Sequence, residues 1–253
     1  MSATASPPQP GTLYGIGAGP GDADLLTLRA VSVLRAADVV VAAASPRNER
    51  SLALGIAAPY LSSQACILRL DFPMTRAAAA LDAAWEDNAR RVASILREGK
   101  NVAFLTLGDP LIYSTFGYLM QTLERLDPDL PVEVIPGVTS FQAAAAKTRT
   151  VLCQGEENLL IVSGINSAER LGQALDAADN AVILKAYRNM ETIRKALADR
   201  NLHRHVLLVS LLGLAGEKIT RGLDEAPPTP PYLSLLLAPS RRNRERTAPQ
   251  RTL

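Results

Sequence analysis

Residues 13–22 read Leu13-Tyr14-Gly15-Ile16-Gly17-Ala18-Gly19-Pro20-Gly21-Asp22, and they decide the fold class. The apolar run Leu13–Gly17 has the length of a strand, and the glycines after it allow a tight turn and the close approach of another group. A helical pattern follows over Asp24–Ala36, with Asp22 or Asp24 as its predicted N-cap. We therefore expect a strand, a tight turn and a helix, the first unit of a parallel sheet covered by helices.

The same alternation of apolar runs and helical patterns continues along the chain. The runs predicted as strands in the first half are Leu13–Gly17, Asp38–Ala43, Ala65–Leu70, Val102–Leu107 and Val132–Ile135. Those in the second half are Asn158–Ser163, Ala181–Ala186, Val206–Ser210 and Tyr232–Ala238. The further predicted helices are Thr75–Glu98, Ser140–Lys147, Ala168–Ala178 and Met190–Ala198. Because most of the runs are apolar on both faces, they favour strands buried in a parallel sheet.

The two halves are similar in size, and each has the pattern of an α/β unit. We expect two domains, residues 11–139 and residues 140–238, with a ligand-binding cleft between them. Residues 1–10 and the arginine-rich residues 239–253 are predicted to be disordered tails, because neither carries an apolar pattern. Residues 225–231 hold four prolines, which predicts an extended connection into the last strand.

Composition narrows the class of protein. The 253 residues are 47% hydrophobic but only 4% aromatic, which suits α/β layers built from Ala, Val and Leu. A formal charge of +2 gives no strong global field, so nucleic acid is not implied as a partner. Residues 1–10 lack the charge and the apolar run of a secretory signal, and the most apolar stretch, Val206–Gly216, is far shorter than the roughly 20 residues that span a bilayer. We expect a soluble, cytoplasmic enzyme that makes no membrane contact.

Several residue types that often carry chemistry have structural interpretations here. Cys66 and Cys153 lie far apart and form no C-x-x-C pattern, so they are predicted to be small buried hydrophobes. Trp85 is predicted to anchor the core. His203 and His205 are predicted to lie in an exposed loop, and no metal site is expected.

The glycine-rich turn by itself is a weak sign of a nucleotide site. Conventional dinucleotide and methyltransferase sites also carry an acidic residue after the second strand, where this chain has Val41-Ala42-Ala43-Ala44. Two further loops follow predicted strands and are rich in small residues. They read Gly108-Asp109-Pro110-Leu111-Ile112-Tyr113-Ser114-Thr115 and Pro136-Gly137-Val138-Thr139-Ser140. Because the carboxyl ends of parallel strands share one edge, the three loops can converge on one crevice.

Together, in this order, the loops resemble the tetrapyrrole methyltransferase family, whose members open with a G-x-G-P-G-D turn and carry a G-D-P loop. The resemblance extends from about Gly11 to Ala238. It implies two α/β domains of tetrapyrrole methylase type, a five-stranded parallel N-terminal sheet, a mixed C-terminal sheet and an inter-domain cleft. Within the family, the closest motifs are those of the enzymes that methylate precorrin-2 at carbon 20 on the cobalamin pathway. They include Phe72-Pro73-Met74-Thr75, Leu107-Gly108-Asp109-Pro110, Tyr113-Ser114-Thr115, Leu184-Lys185, Tyr187-Arg188-Asn189 and Gly216-Glu217-Lys218-Ile219.

The resemblance implies S-adenosylmethionine as methyl donor, held in the cleft largely by backbone groups, and a homodimer. The cofactor contacts that it implies are Pro20, Leu107, Gly108, Asp109, Ile112, Ser114, Thr139, Ser140 and Ala186. Asp109 and Tyr113 are candidates to orient the reacting carbon or accept a proton, although Asp109 could instead only cap its turn. Cationic partners for the carboxylate arms of the substrate are sought among Arg47, Arg50, Arg76, Lys147, Arg149 and Arg188.

Two alternatives stay open at this stage. The chain could be another tetrapyrrole methyltransferase, of the precorrin C(11) or uroporphyrinogen-III type, which would differ in its substrate loops. It could also be a cofactor-binding protein without turnover that uses the basic tail to engage a partner. Whether the substrate contains cobalt is not decided by the sequence.

Overall fold

The chain forms two compact units, Met1–Thr139 and Ser140–Leu253, which we describe one at a time. The structure, a computed structural model, describes residues 9–44, 51–73 and 77–239. Most of both predicted tails, residues 1–8 and 240–253, lies outside the described residues, so their disorder stays a prediction. Within the described ranges no helix is long and apolar enough to cross a membrane.

The first unit is built on a five-stranded sheet in which every neighbouring pair is parallel. Its strands are β1 (Leu13–Gly17), β2 (Val39–Ala44), β3 (Cys66–Asp71), β4 (Val102–Thr106) and β5 (Val132–Ile135). They lie in the order β3-β2-β4-β1-β5. The predicted parallel sheet is therefore confirmed, and the bounds of β1 and β5 are those predicted.

Helices cover both faces of this sheet. They are α1 (Leu28–Ala36), α2 (Leu52–Ala57), α3 (Ala78–Arg97) and α4 (Phe116–Leu126), with short 3-10 turns at Ala23–Leu25 and Ala58–Tyr60. The predicted single helix from Asp24 is wrong in its start. Leu26 is extended, and the Thr27 hydroxyl caps α1 by accepting the Ala30 N–H at 3.1 Å, while Asp22 makes no side-chain cap.

β1 and β4 are neighbours, but the chain leaves them on opposite faces of the sheet. The helix after β1 packs through Ala30 on the face that carries Ile16. The helix after β4 packs through Phe116 on the face that carries Phe104. Such a divergence marks the carboxyl ends of β1 and β4 as the place where ligands bind in open α/β sheets.

The second unit contains a mixed five-stranded sheet, as expected. Its strands are β6 (Leu159–Ser163), β7 (Asn180–Leu184), β8 (Leu207–Ser210), β9 (Lys218–Arg221) and β10 (Ser234–Ala238), in the order β6-β7-β10-β8-β9. Its described helices are α5 (Ser140–Thr148), α6 (Ala168–Asp176) and α7 (Met190–Ala198). Only β6 and β7 pair in parallel, and the other pairs are antiparallel.

Several sequence-based expectations need correction. The helices α2 and α4 and the four-residue strand β9 were not predicted, and the strand predicted over Ala181–Ala186 ends at Leu184. Both cysteines are exposed, contrary to prediction. Cys66 opens β3, which pairs only with β2 at the sheet edge, and Cys153 lies in the irregular segment before β6. Trp85 is half-buried and packs against the core, with its ring centroid 5.0 Å from that of Phe72, so it borders the core that it was predicted to anchor.

Candidate functional site

The three glycine-containing turns of the first unit meet at the carboxyl edge of the sheet. Gly19 and Gly108 form an antiparallel bridge, in which the Gly108 N–H donates to the Gly19 carbonyl at 2.7 Å and the Gly19 N–H to the Gly108 carbonyl at 3.3 Å. A Cβ atom on Gly17 would lie 2.5 Å from the Gly108 oxygen and 2.6 Å from the Gly137 Cα. The three backbones can approach this closely only because these positions carry no side chain. The convergence expected from the sequence is therefore present.

Asp109 fastens two of these turns together. Its Oδ1 accepts the Leu111 N–H at 2.9 Å, and its Oδ2 accepts the Gly137 N–H at 3.1 Å. The first bond closes an Asx turn over the buried Pro110, and the second joins the loop after β4 to the loop after β5. Asp109 therefore caps its turn, which is the alternative that the sequence left open, and its carboxylate also joins two loops.

An exposed apolar surface continues from this turn in the first unit. Leu111, Ile112, Tyr113 and Tyr118 are exposed, with Tyr113 at 53% and Tyr118 at 59%. The backbone of Tyr113 has a φ of 51°, in the left-handed region that an aromatic residue rarely adopts. The Ser114 hydroxyl then accepts the Phe116 N–H at 3.1 Å at the start of α4. A strained exposed tyrosine beside a converging set of loops is a feature that functional sites often show.

The structure divides the predicted cofactor contacts between the two units. Pro20, Leu107, Gly108, Asp109, Ile112, Ser114 and Thr139 follow β1, β4 or β5, and all of them are at the carboxyl edge of the first sheet. Gly108 and Pro20 are buried, and Thr139 is 8% exposed. Ser140 and Ala186 belong to the second unit, where Ser140 opens α5 and Ala186 is buried in the turn after β7.

The cationic candidates fall into three groups. Arg47, Arg50 and Arg76 lie outside the described residues. Lys147 pairs with Glu217 at 3.1 Å, and Arg149 is exposed with a φ of 54°. Arg188 donates through Nε to the Tyr187 hydroxyl at 2.8 Å, and its guanidinium lies 5.7 Å from the centre of that ring.

Lys185 is a candidate that sequence reasoning did not nominate, although it lies in a motif that was noted. It follows β7 directly, with a φ of 56°, and burial of its ammonium, together with the charge of Arg188, lowers the pKa of Lys185. Tyr187 also packs against Tyr232, with ring centroids 4.8 Å apart. The turn after β7 therefore presents two cations and an aromatic pair. The signal that could have found Lys185 is its place directly after a buried strand.

The two histidines and Cys66 are not among the residues of these turns. His205 is exposed as predicted. His203 is half-buried, contrary to prediction, because its backbone carbonyl accepts the Leu223 N–H and holds this turn against the residues that follow β9. Cys66 lines a surface cavity of about 360 Å³ with Arg35 and Lys100, at the opposite, amino edge of the first sheet. No group of three potential metal ligands occurs in the described parts of the chain.

Family comparison assigns the fold and its turns to a known group. Residues 12–226 match the Tetrapyrrole (Corrin/Porphyrin) Methylases. The chain belongs to this family. The matched range contains the three turns of the candidate site, and the resemblance inferred from the sequence is confirmed.

Relatives in the tetrapyrrole methylase family are about one third identical to this chain. The cobalt-precorrin-2 C(20)-methyltransferase of Salmonella typhimurium is 34% identical over 229 residues, covering 90% of this chain and 95% of that protein. The precorrin-2 C(20)-methyltransferase of Sinorhizobium sp is 34% identical over 245 residues, covering 92% and 97%. The cobalamin biosynthesis protein CobIJ of Mycobacterium tuberculosis is 36% identical over 242 residues, covering 92% of this chain but 47% of CobIJ. The chain thus spans about half the length of that relative.

Solved structures share the architecture of this chain. A cobalt precorrin-4 methyltransferase superposes with a TM-score of 0.71 at 24% identity, covering 90% of this chain and 94% of the other. The uroporphyrin-III C-methyl transferase of Thermus thermophilus, complexed with S-adenyl homocysteine, gives a TM-score of 0.64 at 23% identity, covering 90% and 97%. At these identities the likeness establishes the fold alone, and the two-unit α/β class predicted from the sequence is confirmed.

Proposed function

We propose that this chain transfers a methyl group from S-adenosylmethionine to carbon 20 of precorrin-2, or of its cobalt form, giving precorrin-3A or the cobalt equivalent in cobalamin biosynthesis. The observation that carries the proposal is the sequence match to two precorrin-2 C(20)-methyltransferases, which extends over 95% and 97% of their own lengths. Family membership supports methylation of a tetrapyrrole, and the named relatives support this particular carbon.

The glycine cradle of the first unit fits a cofactor that is held by backbone groups. Gly17, Gly108 and Gly137 bring three backbones within contact distance, and β2 ends in Ala44 without a carboxylate that could hold a ribose. When bound, S-adenosylmethionine supplies an electrophilic methyl group for an in-line displacement. The chain then has to align that group with the nucleophilic carbon and keep competing water away, which is a positioning task.

Each unit offers one of the two kinds of surface that suit a tetrapyrrole. The exposed apolar residues Leu111, Ile112 and Tyr113 can contact the macrocycle. Lys185 and Arg188 of the second unit offer cations for its acetate and propionate arms. We assign substrate carboxylate binding to this pair, because both cations stand in the turn that follows β7.

Asp109 and Tyr113 keep different roles in this proposal. Both carboxylate oxygens of Asp109 accept backbone N–H groups, so we assign Asp109 to positioning the cofactor loops. Tyr113 is the candidate for orienting the reacting carbon or receiving its proton. With Tyr113→Phe we expect kcat to fall while S-adenosylhomocysteine binding stays unchanged; with Asp109→Asn we expect the binding itself to weaken. Unchanged turnover of Tyr113→Phe at saturating substrates, or unchanged S-adenosylhomocysteine binding by Asp109→Asn, would remove that residue from its role.

We further propose a cytoplasmic homodimer. Sedimentation equilibrium of the full chain would test the assembly, and a monomer at all concentrations would contradict it. Fractionation of the source cell, with the chain found outside the cytoplasm, would contradict the location.

The decisive experiment incubates the full chain with methyl-labelled S-adenosylmethionine and, in parallel, precorrin-2 and cobalt-precorrin-2. We expect one label per macrocycle, located at carbon 20 by NMR, and a faster reaction with one of the two substrates. Label at another carbon would indicate a different member of the family. Tight S-adenosylhomocysteine binding without label transfer to either substrate would favour a cofactor-binding protein.

A further inference from the structure

Thr106 carries a buried hydroxyl with no hydrogen-bond partner among the described residues. It is the last residue of β4 and is only 6% exposed, and its Oγ1 is the atom left unpaired. Buried hydroxyl groups in folded proteins almost always have a partner, so each exception needs an explanation. A functional contact is one of the explanations that such an exception permits.

The position of Thr106 relates the unpaired hydroxyl to the cofactor cradle. Thr106 pairs with Gly17 in the register of β1 and β4, and its carbonyl accepts the Ala18 N–H at 2.8 Å. The next two residues, Leu107 and Gly108, enter the turn that bridges Gly19. The hydroxyl thus belongs to a residue at the carboxyl edge of the sheet, where the chains leaving β1 and β4 diverge.

The backbone groups around Thr106 are already used, which leaves the side chain as the unexplained element. A valine would fill the same volume and is at least as favourable in a strand. Folding alone therefore gives no reason for a hydroxyl here, since burying it without a partner costs stability. A ligand group that reaches the edge of β4 would supply the missing partner.

We propose that the Thr106 hydroxyl is a hydrogen-bonding contact for the methyl donor, a binding residue beyond the turn residues named above. This inference rests on the proposed function, because it takes the cradle to be the methyl-donor site. The buried hydroxyl of Thr106 then lowers the stability of the free protein and strengthens binding of the methyl donor.

The test compares Thr106→Val and Thr106→Ser in the full chain, by calorimetric titration with S-adenosylhomocysteine and by thermal unfolding of the free protein. Thr106→Val should weaken binding by about 2- to 12-fold, the range of one net hydrogen bond. Its Tm without ligand should be unchanged or higher. Thr106→Ser should bind within about twofold of wild type, because it keeps the hydroxyl.

Thr150→Val provides a matched control for stability. Thr150 is 7% exposed, but its Oγ1 lies 2.8 Å from Oγ1 of Thr148, so its hydroxyl is paired. Losing that bond should lower the Tm, opposite in sign to Thr106→Val.

Three results would overturn the inference. Thr106→Val binding as tightly as wild type would mean that the methyl donor does not contact the hydroxyl. A fall in the Tm of free Thr106→Val comparable to that of Thr150→Val would assign the hydroxyl to folding. Wild-type chain that fails to bind S-adenosylhomocysteine would instead remove the proposed cofactor site, and with it the proposed function.

Discussion

Replacing Gly17 by alanine tests whether the three turns must touch for the site to exist. The added Cβ would lie 2.5 Å from the Gly108 oxygen and 2.6 Å from both the Cα and the N of Gly137. Every one of these is a backbone atom, so no flexible side chain can swing away. The neighbouring turns must therefore move apart by about 1 Å to reach ordinary van der Waals separation.

The expected magnitude follows from what that movement breaks. Overpacking against fixed atoms costs about 1–3 kcal/mol. Separating Gly19 from Gly108 also weakens two backbone hydrogen bonds, of 2.7 and 3.3 Å, each worth about 1 kcal/mol. A total loss of about 2–4 kcal/mol in the free energy of unfolding lowers Tm by roughly 4–16 °C for a protein of this size. A displacement of this size in the cradle should weaken S-adenosylhomocysteine binding by about 10- to 100-fold.

Thermal unfolding and calorimetric titration measure the two effects on one preparation. Gly55→Ala is the matched control, because Gly55 lies inside α2 and a Cβ there meets nothing within 4 Å. Alanine is favoured over glycine in a helix by about 0.5–1 kcal/mol, so this variant should be slightly more stable with unchanged binding. A Gly17→Ala protein with wild-type Tm and wild-type affinity would refute the reasoning, because the turns would then not need to be in contact.

Three further perturbations address charge and loop anchoring. The Gly213 N–H at 2.9 Å and the Lys147 ammonium hold the pKa of Glu217 below its ordinary value. The ionised Glu217 stabilises the folded state at pH values above the ordinary carboxyl pKa, and this stabilisation is lost as pH falls through the lowered pKa of the folded state. Glu217→Gln should therefore lower the Tm at pH 7 but not in acid. Glu98→Gln, at an exposed surface pair, should change Tm little at either pH. Arg194→Met should lower the free energy of unfolding, measured in urea, by about 2–4 kcal/mol, because the Arg194 guanidinium donates to the carbonyls of Leu223 and Ala226. An unchanged unfolding midpoint would contradict this. Because the pKa of Lys185 is lowered, its ammonium loses its charge as pH rises, and wild-type substrate affinity should fall at alkaline pH. Lys185→Arg should keep its affinity there, because arginine stays charged. Parallel pH profiles of the two proteins would exclude Lys185 from carboxylate binding.

Local chemistry made much of the first unit predictable. Leu13–Gly17 and Val132–Ile135 are strands within the predicted bounds, because glycines in one case and flanking prolines in the other mark where each short run begins or ends. Trp85 was placed in the core from its position on the apolar stripe of α3. Asp109 was predicted as a cofactor contact, with a turn cap as the alternative, and its carboxylate does close that turn. The short edge strand β9 escaped prediction because four alternating residues resemble a loop.

The sequence by itself determined the α/β class, the parallel first sheet and the three turns that carry the family resemblance, since each depends on the nearest residues along the chain. Only the tertiary structure decided the strand order β3-β2-β4-β1-β5, which brings Gly17, Gly108 and Gly137 into contact across about 120 residues. It also placed Cys66 on an exposed edge and left the Thr106 hydroxyl unpaired. These features depend on which strands become neighbours, and that choice is made by burial of the whole sheet between its helices and not by any local pattern.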